Sequence, residues 1–258
     1  MDNYKFPIVE EPIFRQNGEQ IPKRKAIIRT DTSQTIAIVS NNYKLVPHSN
    51  VVDMFNGVPD MELKQVSVGH CGASLIGRYD FLPNIPHRLE VKVGDYVDFY
   101  VRVFNSYDTS LGVGFSIIGD RLVCKNGLIT SVGLGTARFK HFESLDVNVL
   151  QKLVVEELNQ VLAKMDGTWK QWLTTKPSNE KIQAFFKEVV DKYVGKKLLP
   201  LLEKDAIDKN QTDGMWGIYN VLSAHTSHNI KTKTPENQVY AIHHKESTLL
   251  RAFYRYQW

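Results

Sequence analysis

The sequence predicts an α+β fold, with a twisted, mainly antiparallel β-sheet in the N-terminal half packed by a helical C-terminal half. Two observations predict it. Up to about residue 143, short runs rich in Val, Ile, Phe and Tyr alternate with Gly, Asn, Asp and Pro, the pattern of strands and tight turns. Beyond that point apolar residues recur at spacings of three and four, the pattern of amphipathic helices. A hydrophobic content of 42% with 23% charged residues places the chain among globular proteins that bury a core. One domain over residues 1–258 is expected, β-rich at 20–143 and helical at 144–258.

In the first half, Ala26 to Arg29 and Ile36 to Val39 read as strands joined by a turn over Asp31 to Gln34. Ser40-Asn41-Asn42 reads as a second turn, because Asn tolerates left-handed backbone, and Tyr43 to Val46 as a third strand. Ser49 is placed to cap a short helix carrying Val52 and Phe55 that stops at Gly57. Strands follow at Leu63 to Val68, Ser74 to Phe81 and Tyr96 to Phe104. In the last, Val97, Phe99, Val101 and Val103 share a core face, and Asp98, Tyr100, Arg102 and Phe104 share the other. The next strand has Val113, Phe115 and Ile117 on one face and the nearly bare Gly112, Gly114 and Ser116 on the other. Such glycines signal close approach by a backbone or a ligand. Gly119-Asp120 reads as a turn into a strand at Arg121 to Lys125, and Asn126-Gly127 as the next turn.

In the second half, Ser144 caps an expected helix through Leu150, Leu153, Val154, Leu158, Val161, Leu162 and Met165, ended by Gly167. Ser178 caps another, with Ile182, Phe185, Phe186, Val189, Val190 and Tyr193 on one face and Gly195 at its close. Lys192, Lys196 and Lys197 suit the negative end of its dipole. Asp213 heads a third helix around Trp216, Tyr219 and Leu222, and a fourth holds Leu249, Leu250 and Phe253.

Several function classes are disfavoured. No apolar run reaches the roughly 18 residues that cross a bilayer, and Met1 to Glu11 lacks the pattern of a signal peptide, so a cytoplasmic location is expected. Cys71 and Cys124 form no Cys-x-x-Cys pair. Gly112-x-Gly114 lies within a strand rather than between strand and helix, and no Gly-Lys-Ser/Thr phosphate loop occurs. Pro59-Asp60 with Glu62 and Lys64 reads as a polar turn rather than a nuclease site. His225, His228, His243 and His244 would be the donors of a metal site, but no carboxylate stands at a telling spacing among them. No cofactor and no metal are expected.

A net charge of +4 and a pI near 8.9 are compatible with a nucleic-acid partner. Asn105, Ser106, Tyr107, Asp108, Arg121, Lys125, Asn126, Arg138, Lys140 and His141 gather around the two glycine-rich strands. They read either as solvated loops of a sheet or as a surface on which cations meet phosphates and an aromatic stacks on bases.

The same residues carry a family resemblance. Asn105-Ser106-Tyr107-Asp108, followed by Arg121-Leu122-Val123-Cys124-Lys125-Asn126-Gly127-Leu128, resembles the central signature of the phage/plasmid-like proteins grouped as domain of unknown function 932. Arg24 to Val46, with Arg29, Asp31 and Tyr43, is similar to that family's N-terminal hairpins. Arg138 to His141 resembles its Arg-His element, with Phe139 and Lys140 intervening. Trp216-Gly217-Ile218-Tyr219-Asn220 and His228 resemble its C-terminal Trp, Asn and His positions. The resemblance implies a phage, prophage or plasmid setting and raises the weight of nucleic-acid work. It implies no reaction.

The leading expectation is a single-stranded nucleic-acid-binding protein of such an element, with strand annealing in recombination or replication as the specific form. Arg102, Arg121, Lys125, Arg138 and Lys140 would hold phosphates, Tyr107 would stack a base, and Asn105 and Asn126 would line the site. A homo-oligomer is compatible with this reading. The alternatives are a metal-dependent nuclease or other hydrolase using histidines with Asp108 or Asp120, and a protein-interaction module that inhibits a host enzyme.

Overall fold

The computed structural model describes residues 3–121, 126–129, 136–139, 146–228, 248–249 and 251–258, with backbone alone at 126–129, 136 and 227–228. Antiparallel sheets occupy the N-terminal half and helices the C-terminal half, so the fold is α+β. No helix among the described residues is long and apolar enough to cross a membrane.

The residues group into two compact units. The first comprises Met1–Asn84, Val101–Ser116 and Ala137–Val154; the second comprises Ile85–Tyr100, Ile117–Thr136 and Val155–Trp258. Strands β7 (Asp95–Ser106) and β8 (Gly114–Arg121) contribute residues to both.

The first unit opens with an antiparallel sheet, β1 (Ile8–Phe14), β2 (Gln20–Arg29) and β3 (Gln34–Ser40), in the order β1-β2-β3. Strand β1, with its two glutamates and a proline, carries no alternating apolar pattern, and the sequence does not announce it. Tyr43 to Val46, expected as a strand, enters no strand pairing among the described residues. The segment is fastened instead by side chains, Lys25 Nζ donating to the Tyr43 carbonyl at 2.7 Å and Tyr43 Oη donating to the Ser106 carbonyl at 2.6 Å.

Helix α1 (His48–Asn56) starts at Pro47, which makes no side-chain cap, so Ser49 lies inside the helix rather than at its cap. Its buried Val51, Val52 and Phe55 form one stripe. Phe55 meets Tyr79 and Phe115, with ring centroids 5.8 and 6.0 Å apart. Strands β4 (Met61–Gly69) and β5 (Ser74–Phe81) form a hairpin, and the sheet order is β10-β8-β7-β5-β4, with β10 at Thr136–Arg138. From Phe99 to Ser106, β7 is buried on both faces, so the expected polar face of Tyr100, Arg102 and Phe104 is interior as well.

In the second unit β6 (Arg88–Lys92) pairs with the start of β7, and β9 (Asn126–Ile129) pairs with the end of β8. Gly119 pairs with Leu128, Asp120 with Gly127 and Arg121 with Asn126. Gly119-Asp120 and Asn126-Gly127, expected as turns, are therefore strand residues. Residues 122–125 lie outside the described set.

Helix α2 (Val147–Thr174) runs through Gly167 instead of stopping there. A helix-interior glycine costs about 1 kcal/mol. The apolar stripe continues past it through the buried Met165, Trp169 and Trp172, and burial of two indoles outweighs that cost. The expected cap, Ser144, is outside the described residues. Helix α3 (Asn179–Glu188) is capped by Ser178 as expected, its hydroxyl accepting the Lys181 N–H at 3.4 Å. It ends earlier than expected, at Val189, and a 3₁₀ turn over Val190–Lys192 follows. Helix α4 (Leu199–His228) breaks at Gly214, where φ is +57°, next to the expected helix start at Asp213. A Cβ at Gly214 would stand 2.4 Å from the Trp172 carbonyl, so only glycine fits. The core is aromatic: Phe99 stacks on Trp169, Trp169 meets Trp216, and Trp172 meets Tyr219 and Phe253.

Candidate functional site

The residues singled out by sequence separate into three places. The first is a buried polar cluster in the first unit, built where β7 ends. Asn105 and Tyr107 are fully covered, and both engage His48 at the head of α1. Asn105 Nδ2 donates to the Val46 carbonyl at 2.8 Å and lies 2.9 Å from His48 Nδ1. The amide has two hydrogens and satisfies both acceptors, so Nδ1 is the unprotonated nitrogen. Nε2–H then donates to the Gly72 carbonyl at 3.1 Å.

The Tyr107 ring stacks on the His48 ring, centroids 4.0 Å apart, and its oxygen accepts the His48 backbone N–H at 2.8 Å. Burial holds the His48 imidazole down at about 4 and pushes the Tyr107 hydroxyl up. Ser106 Oγ accepts the Leu111 N–H, and Asp108 Oδ1 accepts the Ser110 N–H, which shapes the loop that follows. In this arrangement Tyr107 exposes no ring face on which a base could stack, and Asn105 faces the interior.

The second place is an ion-pair constellation in the second unit. Arg121 Nε and Nη2 donate to the two oxygens of Asp95 at 2.6 and 2.7 Å, a bidentate pair. Trp216 Nε1–H donates to Asp95 Oδ2 at 3.0 Å, and the guanidinium carbon stands 5.7 Å from the Trp216 ring centroid. The Asp95 side chain is 3% exposed, so it depends on these donors. Two separate parts of the signature, the arginine of β8 and the tryptophan of α4, thus meet on one carboxylate. Arg102 is likewise buried.

The third place is the β8–β10 contact in the first unit. The bare face at Gly114 is occupied by the protein's own backbone: a Cβ there would stand 2.1 Å from the Ala137 carbonyl and 3.0 Å from the Phe104 ring. Glycine at this position admits β10, and Phe139 N–H donates to the Val113 carbonyl at 2.8 Å just beyond it. β10 carries Arg138, which is exposed and enters no ion pair among the described residues.

Of the eight predicted site residues, Asn105, Tyr107 and Arg121 are thus parts of the scaffold's interior bonding, Arg102 is buried, and Arg138 faces solvent. Asn126 is placed as a strand residue by its backbone. Lys125 and Lys140 lie outside the described residues, as do His141 and Cys124. Sequence reasoning missed His48 and Asp95. Nothing local marks His48, whereas Asp95 opens a strand directly after Gly94, an odd place for an acid unless a cation awaits it. Among the described residues no three His, Cys, Asp or Glu side chains are grouped to hold a metal. His225 is buried, and the side chains of His228, His243 and His244 are not among those described.

Comparison with known proteins adds one match. The family model described as domain of unknown function (DUF932) matches residues 35–246. No curated protein and no solved structure matches the chain.

Proposed function

Since the chain belongs to the family of the domain of unknown function DUF932, whose name specifies no reaction, we propose its function from the site: it binds single-stranded nucleic acid along the β10 edge of the first unit's sheet. The observation that carries this reading is Arg138, an exposed arginine that enters no ion pair among the described residues and lies on a strand that Gly114 fastens to β8. A guanidinium in water, free of a carboxylate, meets a phosphate in a two-pronged hydrogen bond and releases that phosphate's counterion. Lys125 and Lys140 of the same signature extend the reading to further phosphates. Asn105, Tyr107 and Arg121 support it indirectly, by fixing the strands. Binding of this class serves strand annealing in recombination and replication.

The test is binding of labelled single and double strands across a salt series. The full chain is expected to bind single strands at low salt, and Arg138→Ala to flatten the salt slope by about 0.7, one phosphate contact. Absence of single-strand binding at low salt would refute the reading.

A further inference from the structure

Away from the signature, exposed aromatic and cationic side chains coincide at one place in the second unit. Phe14 and Tyr193 are the exposed aromatic residues among those described. Tyr193, 37% exposed, follows the 3₁₀ turn after α3. Around it Lys187, Lys192, Lys196 and Lys197 are exposed, and none enters an ion pair among the described residues; Glu188 and Asp191 are the acids of that stretch.

The backbone here is compact. Tyr193 and Val194 N–H groups donate to the Val190 carbonyl at 2.9 and 3.1 Å, and Leu198 and Leu199 N–H groups to the Gly195 carbonyl at 2.9 and 3.2 Å. The buried Val190 and Val194 anchor these two turns, leaving tyrosine and lysines in solvent. Beside them, Leu199, Pro200, Glu203, Lys204 and Ile207 line a groove of about 360 Å³ along the start of α4.

We propose that Lys192, Tyr193, Lys196 and Lys197 form a second binding site for single-stranded nucleic acid, with lysines on the phosphates and a base stacked on Tyr193. Lysines without carboxylate partners surrender no ion pair when they take up a phosphate, so counterion release is undiminished. An exposed tyrosine face accepts any base, but only a base whose own face is uncovered, and this selects single strands over duplex. An anionic bilayer is the rival ligand for lysines beside leucines. It needs a continuous apolar helix face, and Leu201, 60% exposed, is followed on its own face by the exposed Asp205 and Asp208 at four and seven residues. Those carboxylates oppose insertion among anionic headgroups. The inference shares its ligand class with the β10 reading but rests on a different unit, so either can fail alone.

The experiment is fluorescence anisotropy of the full chain with a fluorescein-labelled oligothymidylate of about 30 nucleotides across a salt series. Lys196→Ala with Lys197→Ala is expected to flatten the salt slope by about 1.4, at about 0.7 per contact. Tyr193→Ala is expected to weaken binding about tenfold, and Tyr193→Phe to keep it. All of these side chains are exposed, so melting temperatures should match the parent's. If these variants bind as the parent does while Arg138→Ala still weakens binding, the second site is overturned and the β10 reading stands. If the parent binds no oligonucleotide at low salt, both fall. Vesicles of phosphatidylserine and phosphatidylcholine form the last arm. Capture by them that these variants abolish, with oligothymidylate binding untouched, overturns the proposal in favour of a membrane.

Discussion

Asn105 Nδ2 stands 2.9 Å from His48 Nδ1, so the asparagine of the signature donates to a buried histidine and holds it in its neutral form. A proton arriving on Nδ1 would point at the amide's own hydrogens. With burial as the first cause, the folded imidazole titrates at about 4, against 6.5 for a free histidine.

This fixes a pH dependence. Between pH of about 6.5 and 4 the unfolded chain binds a proton that the folded chain refuses, so stability falls as pH drops through that window and is complete above it. The shift corresponds to about 3 kcal/mol at full extent. Urea melts at pH 7 and pH 4.5 should show the loss, and His48→Gln should shrink the difference between them. An unchanged pH difference in that variant would exclude His48 as its source.

Arg121→Ala should unfold the protein more readily rather than merely weaken a surface contact. Removing the guanidinium leaves the Asp95 carboxylate buried with, among the described side chains, the Trp216 Nε1–H as its donor, and breaking a buried pair costs about 3–5 kcal/mol. Arg121→Lys should recover only part of this, because one ammonium cannot reproduce the bidentate bond. Denaturant midpoints measure both. Thermal stability equal to the parent's, with a flattened salt slope, would restore Arg121 to the ligand site.

How far the sequence was legible follows from where each partner lies. The alternation of Val97, Phe99, Val101 and Val103 is local and identified the core face correctly. The partners of the opposite face are distant in sequence, and alternation cannot tell a strand buried on both sides from one that is half solvated. Arg121 reads locally as a phosphate-holding cation, whereas the carboxylate it binds, Asp95, sits 26 residues back. Asn126-Gly127 has the local chemistry of a turn, and pairing with β8 overrides it. Lys192, Lys196 and Lys197 were legible as cations near a helix end. That the helix stops at Val189 and leaves Tyr193 exposed beside them depends on packing that periodicity does not encode.

Gly114→Ala should loosen β10 without dissolving the fold. The added methyl meets the Ala137 carbonyl at 2.1 Å, a backbone atom that cannot yield as a side chain would, so the strand must move. Overpacking of this kind costs about 1–3 kcal/mol. Hydrogen exchange should report it locally: the Phe139 amide, bonded to Val113, is expected to lose protection before the amides of β4 and β5 do. Single-strand binding should fall with it, since Arg138 rides on the same strand. Full protection of Phe139 in the variant would mean that β10 takes up the methyl while staying paired, and that the glycine is dispensable.

A fragment of residues 144–258 should not fold alone, because its largest apolar side chains are completed by the segment 85–100 of the same unit. Trp169 stacks on Phe99, Trp216 donates to Asp95, and Lys92 binds Asp213 beside the break in α4. Each indole buries about 150–250 Å², worth about 4–6 kcal/mol at about 25 cal/mol per Å². Uncovering even half of two such rings removes about as much free energy as a marginal domain possesses. The Trp216 N–H would also lose its acceptor. Circular dichroism should therefore show residual helix without a cooperative melt, and a fragment that melts sharply as a monomer would show that α2, α3 and α4 close their own core.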